Sequence, residues 1–141
     1  MQLTQHTDFA LRLLIVLARA DGGPVPLTGF ATQQNLSYNH VAKVAQGLAR
    51  EGFIVSHRGR SGGVSLARPA SEITVGDVVR RMEKGMRIAD CAHCALKGDC
   101  AMSPLLAKAL AAFLAVLDGA TLAEAAEPGV AHALWAFAPA A

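Results

Sequence analysis

The hydrophobic period of this chain changes from helical to alternating and back again, and this change restricts the fold more than any other feature. In the segments 4–19 and 38–51, apolar residues recur every three or four positions, as on one face of a helix. From residue 53 the pattern alternates. FIVSHR at 53–58 and VSLA at 64–67 have the period of short strands, and GRSGG between them provides the glycines of a hairpin turn. The sequence therefore predicts a mainly α chain with a small β-hairpin.

Capping and breaking residues predict where the first helices begin and end. The segment DGGPVP ends a first helix over 4–19. A short second helix is predicted at about 28–34, with Thr28 as its N-cap. Ser37 is predicted to cap a third helix, which Gly52 ends.

This order of elements is typical of a winged helix-turn-helix domain, in which a helix is followed by a short helix, a turn, another helix and a hairpin. Polar side chains lie at the N-terminal end of the third helix, and two arginines lie on the narrow glycine turn of the hairpin. Asparagine can pair with adenine, and an arginine on a slim turn fits a narrow minor groove. Each group alone is compatible with an ordinary solvated surface, but together they favour DNA binding. The predicted DNA-binding residues are Ser37, Tyr38, Asn39, His40, Lys43, Arg58, Arg60 and Gly62.

A long helix is predicted at 102–118, and it has almost no polar face. Between Pro104 and Leu117 its only charged residue is Lys108. A helix that is apolar on nearly every side must be buried on nearly every side. A chain of this size surrounds such a helix with difficulty, whereas a twofold partner covers it by packing the same helix against itself. The sequence therefore predicts a homodimer, with a central core helix within one subunit as the alternative.

All three cysteines lie within ten positions, as Cys91, Cys94 and Cys100. They are too few for a closed four-thiol site, and a disulfide would leave one thiol over. His93 lies between the first two and is poorly placed to complete a zinc site with them. Three thiolates suit an iron–sulfur cluster with one weakly held iron, which is typical of a sensor. An iron–sulfur cluster, a zinc site and a thiol switch remain open from the residues alone.

The composition narrows the class of protein. With 141 residues, 52% of them hydrophobic and 17% charged, the chain can form one domain with a real core. A net charge of +2 does not by itself indicate nucleic acid. No secretory signal or membrane span is expected, since charged residues interrupt the apolar stretches, so a cytoplasmic location is predicted. No catalytic dyad or phosphate loop is present, so no enzyme is expected. The alternative to a DNA-binding regulator, from another class of protein, is a small metalloprotein without DNA binding.

Four sequence features together resemble a known family. Over about residues 1–125 the chain resembles the NsrR family of nitric-oxide-sensitive iron–sulfur repressors. The features that carry the resemblance are TDFALRLL, SYNHVAKV, RGRSGGVSLARPASEITVGDVVR and the three cysteines. The chain is less similar to the IscR group of the same superfamily. The resemblance implies a dimeric winged-helix repressor of double-stranded operator DNA, with a cluster in the loop before a dimerising helix.

The resemblance also implies the ligands. Cys91, Cys94 and Cys100 would hold a [4Fe-4S] cluster, with [2Fe-2S] as the alternative, and Asp8 would supply a carboxylate from the other subunit. Ser103 stands where the IscR group has a histidine ligand. Without the resemblance, Asp8 reads as an acid that stabilises the first turn of its helix.

The implied function is release of operator DNA when nitric oxide reacts with the cluster. The alternative is a winged-helix regulator that senses iron supply, cluster supply or redox state through the same cysteines. The predicted division of the chain is a DNA-binding domain at 1–81, a cluster loop at 82–101, a dimerisation region at 102–126 and a flexible tail at 127–141.

Overall fold

The computed structural model describes residues 2–21 and 23–129. Within them the chain forms helices, a two-stranded antiparallel hairpin and two short 3₁₀ turns, at Ala70–Glu72 and Cys91–His93. This order confirms the predicted mainly α, winged helix-turn-helix fold. The elements are α1 Gln5–Arg19, α2 Leu27–Gln33, α3 Tyr38–Arg50, β1 Ile54–His57, β2 Gly63–Leu66, α4 Val75–Met82, α5 Met102–Asp118 and α6 Leu122–Ala126.

The predicted cap of α3 is confirmed, and that of α2 is wrong. The Ser37 hydroxyl accepts a hydrogen bond from the backbone N–H of His40 at 3.3 Å. Pro26, not Thr28, precedes α2, and it makes no side-chain cap. Proline suits this place because its fixed φ is already close to that of a helix. Thr28 therefore lies inside α2, where its carbonyl accepts a hydrogen bond from the Thr32 hydroxyl.

A residue before α2 joins the hairpin through backbone hydrogen bonds. Ile54 lies opposite Leu66, and His57 lies opposite Gly63. Val25 forms an isolated bridge with Val64, with backbone N···O distances of 2.8 and 3.0 Å. A Cβ on Gly63 would lie 2.3 Å from the Val25 carbonyl oxygen, so this close approach requires glycine.

The core surrounds α1, with α3, α4 and the hairpin packed against it. Its largest fully buried side chains include Leu13, Leu14, Phe30, Leu48, Phe53, Ile73 and Leu122. The last of these belongs to α6, a helix that the sequence analysis missed. The Arg19 guanidinium fastens α6 to α1 by donating a hydrogen bond to the Ala126 carbonyl at 2.7 Å. Most of the predicted flexible tail, residues 130–141, lies outside the described residues.

Helix α5 leaves this core and has no buried residue. Leu105 is 59% exposed and Val116 is 75% exposed. Its C-terminal end is attached to α4, where Arg80 and Asp118 form an ion pair. A central core helix within one subunit is therefore not what the described residues form. Among them, no helix is long and apolar enough to cross a membrane.

Candidate nucleic-acid interface and cysteine site

The N-terminal end of α3 presents polar side chains to solvent because its apolar stripe faces the core. Val41, Val44 and Leu48 are fully buried. Asn39 and Lys43 therefore lie on the opposite, exposed side. Tyr38 is 51% exposed at the first turn. The predicted recognition surface is thus open to a ligand.

His40 differs from its predicted neighbours because it packs inside the domain. Its ring meets the ring of Phe9 edge-on, with centroids 4.9 Å apart. The imidazole is half-buried, unlike the side chains of Asn39 and Lys43. No local sequence pattern predicts this contact, because it depends on how α1 crosses α3. His40 therefore links the recognition helix to α1.

The turn between β1 and β2 carries the two predicted wing arginines. Arg58 and Arg60 are exposed, and neither has an acidic partner among the described residues. Gly62 shapes the turn: its N–H donates to the Gly59 carbonyl at 3.0 Å, and a Cβ would lie 2.6 Å from the His57 carbonyl oxygen. Gly62 therefore supports the turn that presents the arginines.

The recognition helix and the wing border one groove. The groove has a volume of about 330 Å³. The residues that line it include Thr28, Tyr38, His57 and Gly62. The His57 imidazole is held on the strand by a 2.7 Å hydrogen bond with the Ser65 hydroxyl. The fold therefore brings together two predicted DNA-binding segments that lie about twenty residues apart in sequence.

The three cysteines meet at a second place, before and at the start of α5. Cys91, Cys94 and Cys100 are free thiols that line one cavity of about 60 Å³. Cys94 is exposed, and the other two are half-buried. Lys97 also lines the cavity, and the sequence analysis overlooked it although it lies between two of the cysteines.

The residues around the cavity fit an iron–sulfur cluster in donor chemistry but do not form a closed centre by themselves. Thiolate sulfur is the usual ligand of such clusters. Across the described part of the chain, no three Cys, His, Asp or Glu side chains lie close enough together to hold a metal ion. His93 and Asp90 are hydrogen-bonded to each other at 2.9 Å. One chain thus brings three thiols to one cavity without holding them close enough together to bind a single metal ion.

Asp8 does not line the cysteine cavity of its own chain. Its carboxylate accepts two hydrogen bonds from the guanidinium of Arg12, at 2.7 and 3.1 Å. The Arg12 guanidinium lies 5.5 Å from the centre of the Phe9 ring. Within one subunit Asp8 is an ion-paired residue of α1, and its predicted contribution to the other subunit's cluster remains a prediction.

The model of the family described as "Rrf2: Iron-dependent Transcriptional regulator" matches residues 3–128. The chain belongs to the Rrf2 family. Members of this family are transcriptional regulators rather than enzymes, and the Rrf2 chain described here has their winged-helix fold. The narrower resemblance to the NsrR group is not confirmed by the match.

Solved structures agree with the Rrf2 assignment. The chain is similar to CymR of B. subtilis, the "Global Cysteine Regulator", with 28% identity over 89% of this chain and 96% of that one, and a TM-score of 0.77. The oxidized form of Staphylococcus aureus CymR is 31% identical over 90% and 97% of the two chains, with a TM-score of 0.75. IscR of T. potens is 25% identical over 100% and 94%, with a TM-score of 0.74.

Proposed function

We propose that this Rrf2 protein is a homodimeric repressor that binds operator DNA and releases it when nitric oxide reacts with an iron–sulfur cluster. The observation that carries the proposal is the cavity lined by Cys91, Cys94 and Cys100, next to an uncovered helix and in the same chain as a winged helix-turn-helix. We further place the protein in the cytoplasm, where its operator would be found.

Two segments are assigned to DNA. The exposed residues Tyr38, Asn39 and Lys43 of α3 would enter the major groove, and Arg58 and Arg60 would reach the backbone or the minor groove. Support comes from the shared groove between these segments and from the absence of acidic partners for the two arginines among the described residues. Ser37 and Gly62 act by holding the backbone, and His40 acts by fixing α3 against Phe9.

A second copy of the chain is assigned to the uncovered face of α5. Met102, Leu105 and Val116 are all more than half exposed, and the last two share one face of the helix. Packing this face against its twofold copy would remove the apolar surface from water. It would also pair two recognition helices, as two DNA half-sites require.

The cluster is assigned to the 82–101 loop. Cys91, Cys94 and Cys100 would hold it as thiolates, and Lys97 lines the same cavity. A bound cluster supplies iron that reacts with nitric oxide. The partner subunit's Asp8 would serve as the fourth ligand, for which it must leave Arg12 of its own helix. We favour [4Fe-4S], with [2Fe-2S] as the alternative.

A thiol switch is the second candidate function. It is favoured by the exposure of Cys94, by the free state of all three thiols and by the similarity to a CymR structure in an oxidized form. In this case no iron would be needed, and DNA affinity would respond to oxidants. The similarity to IscR suggests a further alternative. In that case the same three cysteines would serve a regulator that senses iron or cluster supply.

The experiment begins with protein purified without oxygen. We expect iron, acid-labile sulfide and broad visible absorbance, and we expect all three to be lost in Cys94→Ser. Ser103→Ala is the matched control, because Ser103 lines the same cavity and is not an assigned ligand. Wild-type protein should retard genomic operator fragments on gels and release them after nitric oxide. Colourless protein whose DNA binding responds only to oxidants would contradict the cluster and support the thiol switch.

A further inference from the structure

A second cleft lies at the C-terminal end of α3, away from the groove of the wing. Its volume is about 320 Å³, and it lies between α1, α3 and the C-terminal end of α4 with the residues that follow it. The basic residues that line the cleft are His6, Arg50, Arg81 and Lys84. Its one acidic lining residue is Glu51. Among its lining residues, three lysine or arginine side chains therefore face one acidic side chain.

The charges in the cleft do not cancel. Arg81 donates to the Asp77 carboxylate at 2.9 Å and lies 4.0 Å from Glu51, so its charge is already matched. Arg50 and Lys84 have no acidic partner among the described residues. Two positive charges therefore remain available to an anion.

The environment of His6 agrees with this surplus of positive charge. Burial lowers the pKa of the His6 imidazole, and the neighbouring His40, Arg50 and Lys84 lower it further, against an opposing effect of Glu83. The Glu83 carboxylate accepts hydrogen bonds from Thr4 and Thr7, is not among the residues that line the cleft, and forms no ion pair with Arg50 or Lys84 among the described residues. It therefore leaves the two unpaired cations of the cleft unmatched.

The cleft continues the predicted DNA-binding face of α3. Asn39, Lys43, Gln46 and Arg50 are spaced by four, three and four residues, which places them along one side of the helix. All four are exposed. A duplex lying along this side would therefore pass from the polar N-terminal end of α3 to Arg50 and Lys84.

We propose that the cleft binds a phosphate of the DNA backbone through Arg50 and Lys84, as a contact separate from the recognition segment and the wing. The inference rests on the proposed DNA-binding function. Phosphate contacts position a protein on a duplex without reading its sequence. This contact would anchor the far end of α3 and set the angle at which its N-terminal end enters the major groove.

The test compares the salt dependence of binding to a short fluorescent duplex of random sequence, with protein purified without oxygen. The logarithm of the binding constant falls with the logarithm of salt concentration by about 0.9 for each phosphate contact. Arg50→Gln and Lys84→Gln should each make that slope shallower by up to this amount. Arg87→Gln is the control, since it removes one exposed charge outside the cleft and should keep the wild-type slope. Arg50→Lys and Lys84→Arg keep the positive charge and should therefore keep the wild-type slope. Thermal melting shows whether each variant is folded.

The other outcomes separate the explanations. Equal slopes for Arg50→Gln, Lys84→Gln and Arg87→Gln would overturn the cleft as a DNA contact while leaving the wing and recognition segment in place. Wild-type protein that failed to bind any duplex would overturn the cleft and the proposed function together. Inorganic phosphate is then titrated by calorimetry. Binding that is lost in Arg50→Gln, with an unchanged DNA slope, would assign the cleft to a free phosphate-type anion and overturn its DNA role.

Discussion

The exposed face of α5 provides the most direct test of the proposed dimer. Val116 is 75% exposed in one chain, so replacing it should change little within a single subunit. Full burial of a valine contributes about 1.5–3 kcal/mol, and three quarters of this is about 1–2 kcal/mol. A twofold interface contains the residue twice, so Val116→Asp should cost the dimer about 2–4 kcal/mol, before any penalty for the buried carboxylate.

This free energy corresponds to a dimer about 30- to 700-fold weaker. Sedimentation equilibrium over a range of protein concentrations measures it directly, and circular dichroism reports whether the helices persist. Val55→Asp is the control, because Val55 is also exposed, at 43%, but lies on β1. Leu105→Asp should repeat the effect of Val116→Asp. Variants of α5 that dimerise as tightly as the wild type would refute the assignment of this face.

Three other substitutions test the wing, the α1–α4 contact and Asp8. Gly63→Ala should destabilise the protein by about 1–3 kcal/mol in urea unfolding, because its Cβ would displace the Val25 carbonyl, whereas Gly29→Ala meets no atom within 4 Å and should not. Burial opposes ionisation of Glu83, but hydrogen bonds from Thr7 and Thr4 outweigh it and lower the pKa of its carboxyl. A depressed folded-state pKa stabilises the protein above the unfolded pKa, so the advantage of wild type over Glu83→Gln should be present at neutral pH and disappear in unfolding curves as pH falls through the folded pKa. Asp8→Ala removes an exposed ion pair and should cost at most about 1 kcal/mol in thermal unfolding. Its cluster should bleach faster than that of the wild type, and an equal lifetime would limit Asp8 to its pairing with Arg12.

The fold could be predicted where local chemistry determines it. The Ser37 cap and the glycine turn of the wing depend on neighbouring residues, and both are present in the structure. Helix α6 was missed because it has only five residues, too few for a periodic pattern. Its signal was the capping box of Thr121 and Glu124, whose hydrogen bonds close its first turn. Short helices are thus better found from their caps than from their hydrophobic period.

The candidate site was predictable in part for a similar reason. The cysteines are close in sequence, so a loop brings them to one cavity whatever the fold does elsewhere. The packing of His40 on Phe9 and the cleft beside Arg50 depend on how distant helices cross, which no local pattern encodes. The fourth ligand of the cluster is harder still to predict from local sequence, because the proposed ligand comes from another subunit.

The attachment of α5 gives it the mechanics of a lever. Its C-terminal end is pinned by Asp118, which pairs with Arg80, and by the bridge between Thr74 and Thr121. Its N-terminal end follows the cysteine loop, in which none of the residues 91–101 is buried. Seventeen residues at about 1.5 Å each make a rod of about 25 Å, so a tilt of about 10° would move the cysteine end by about 4 Å. A rearrangement of the thiols would therefore be expected to tilt α5 about this pin, at α4, the helix that packs against α1.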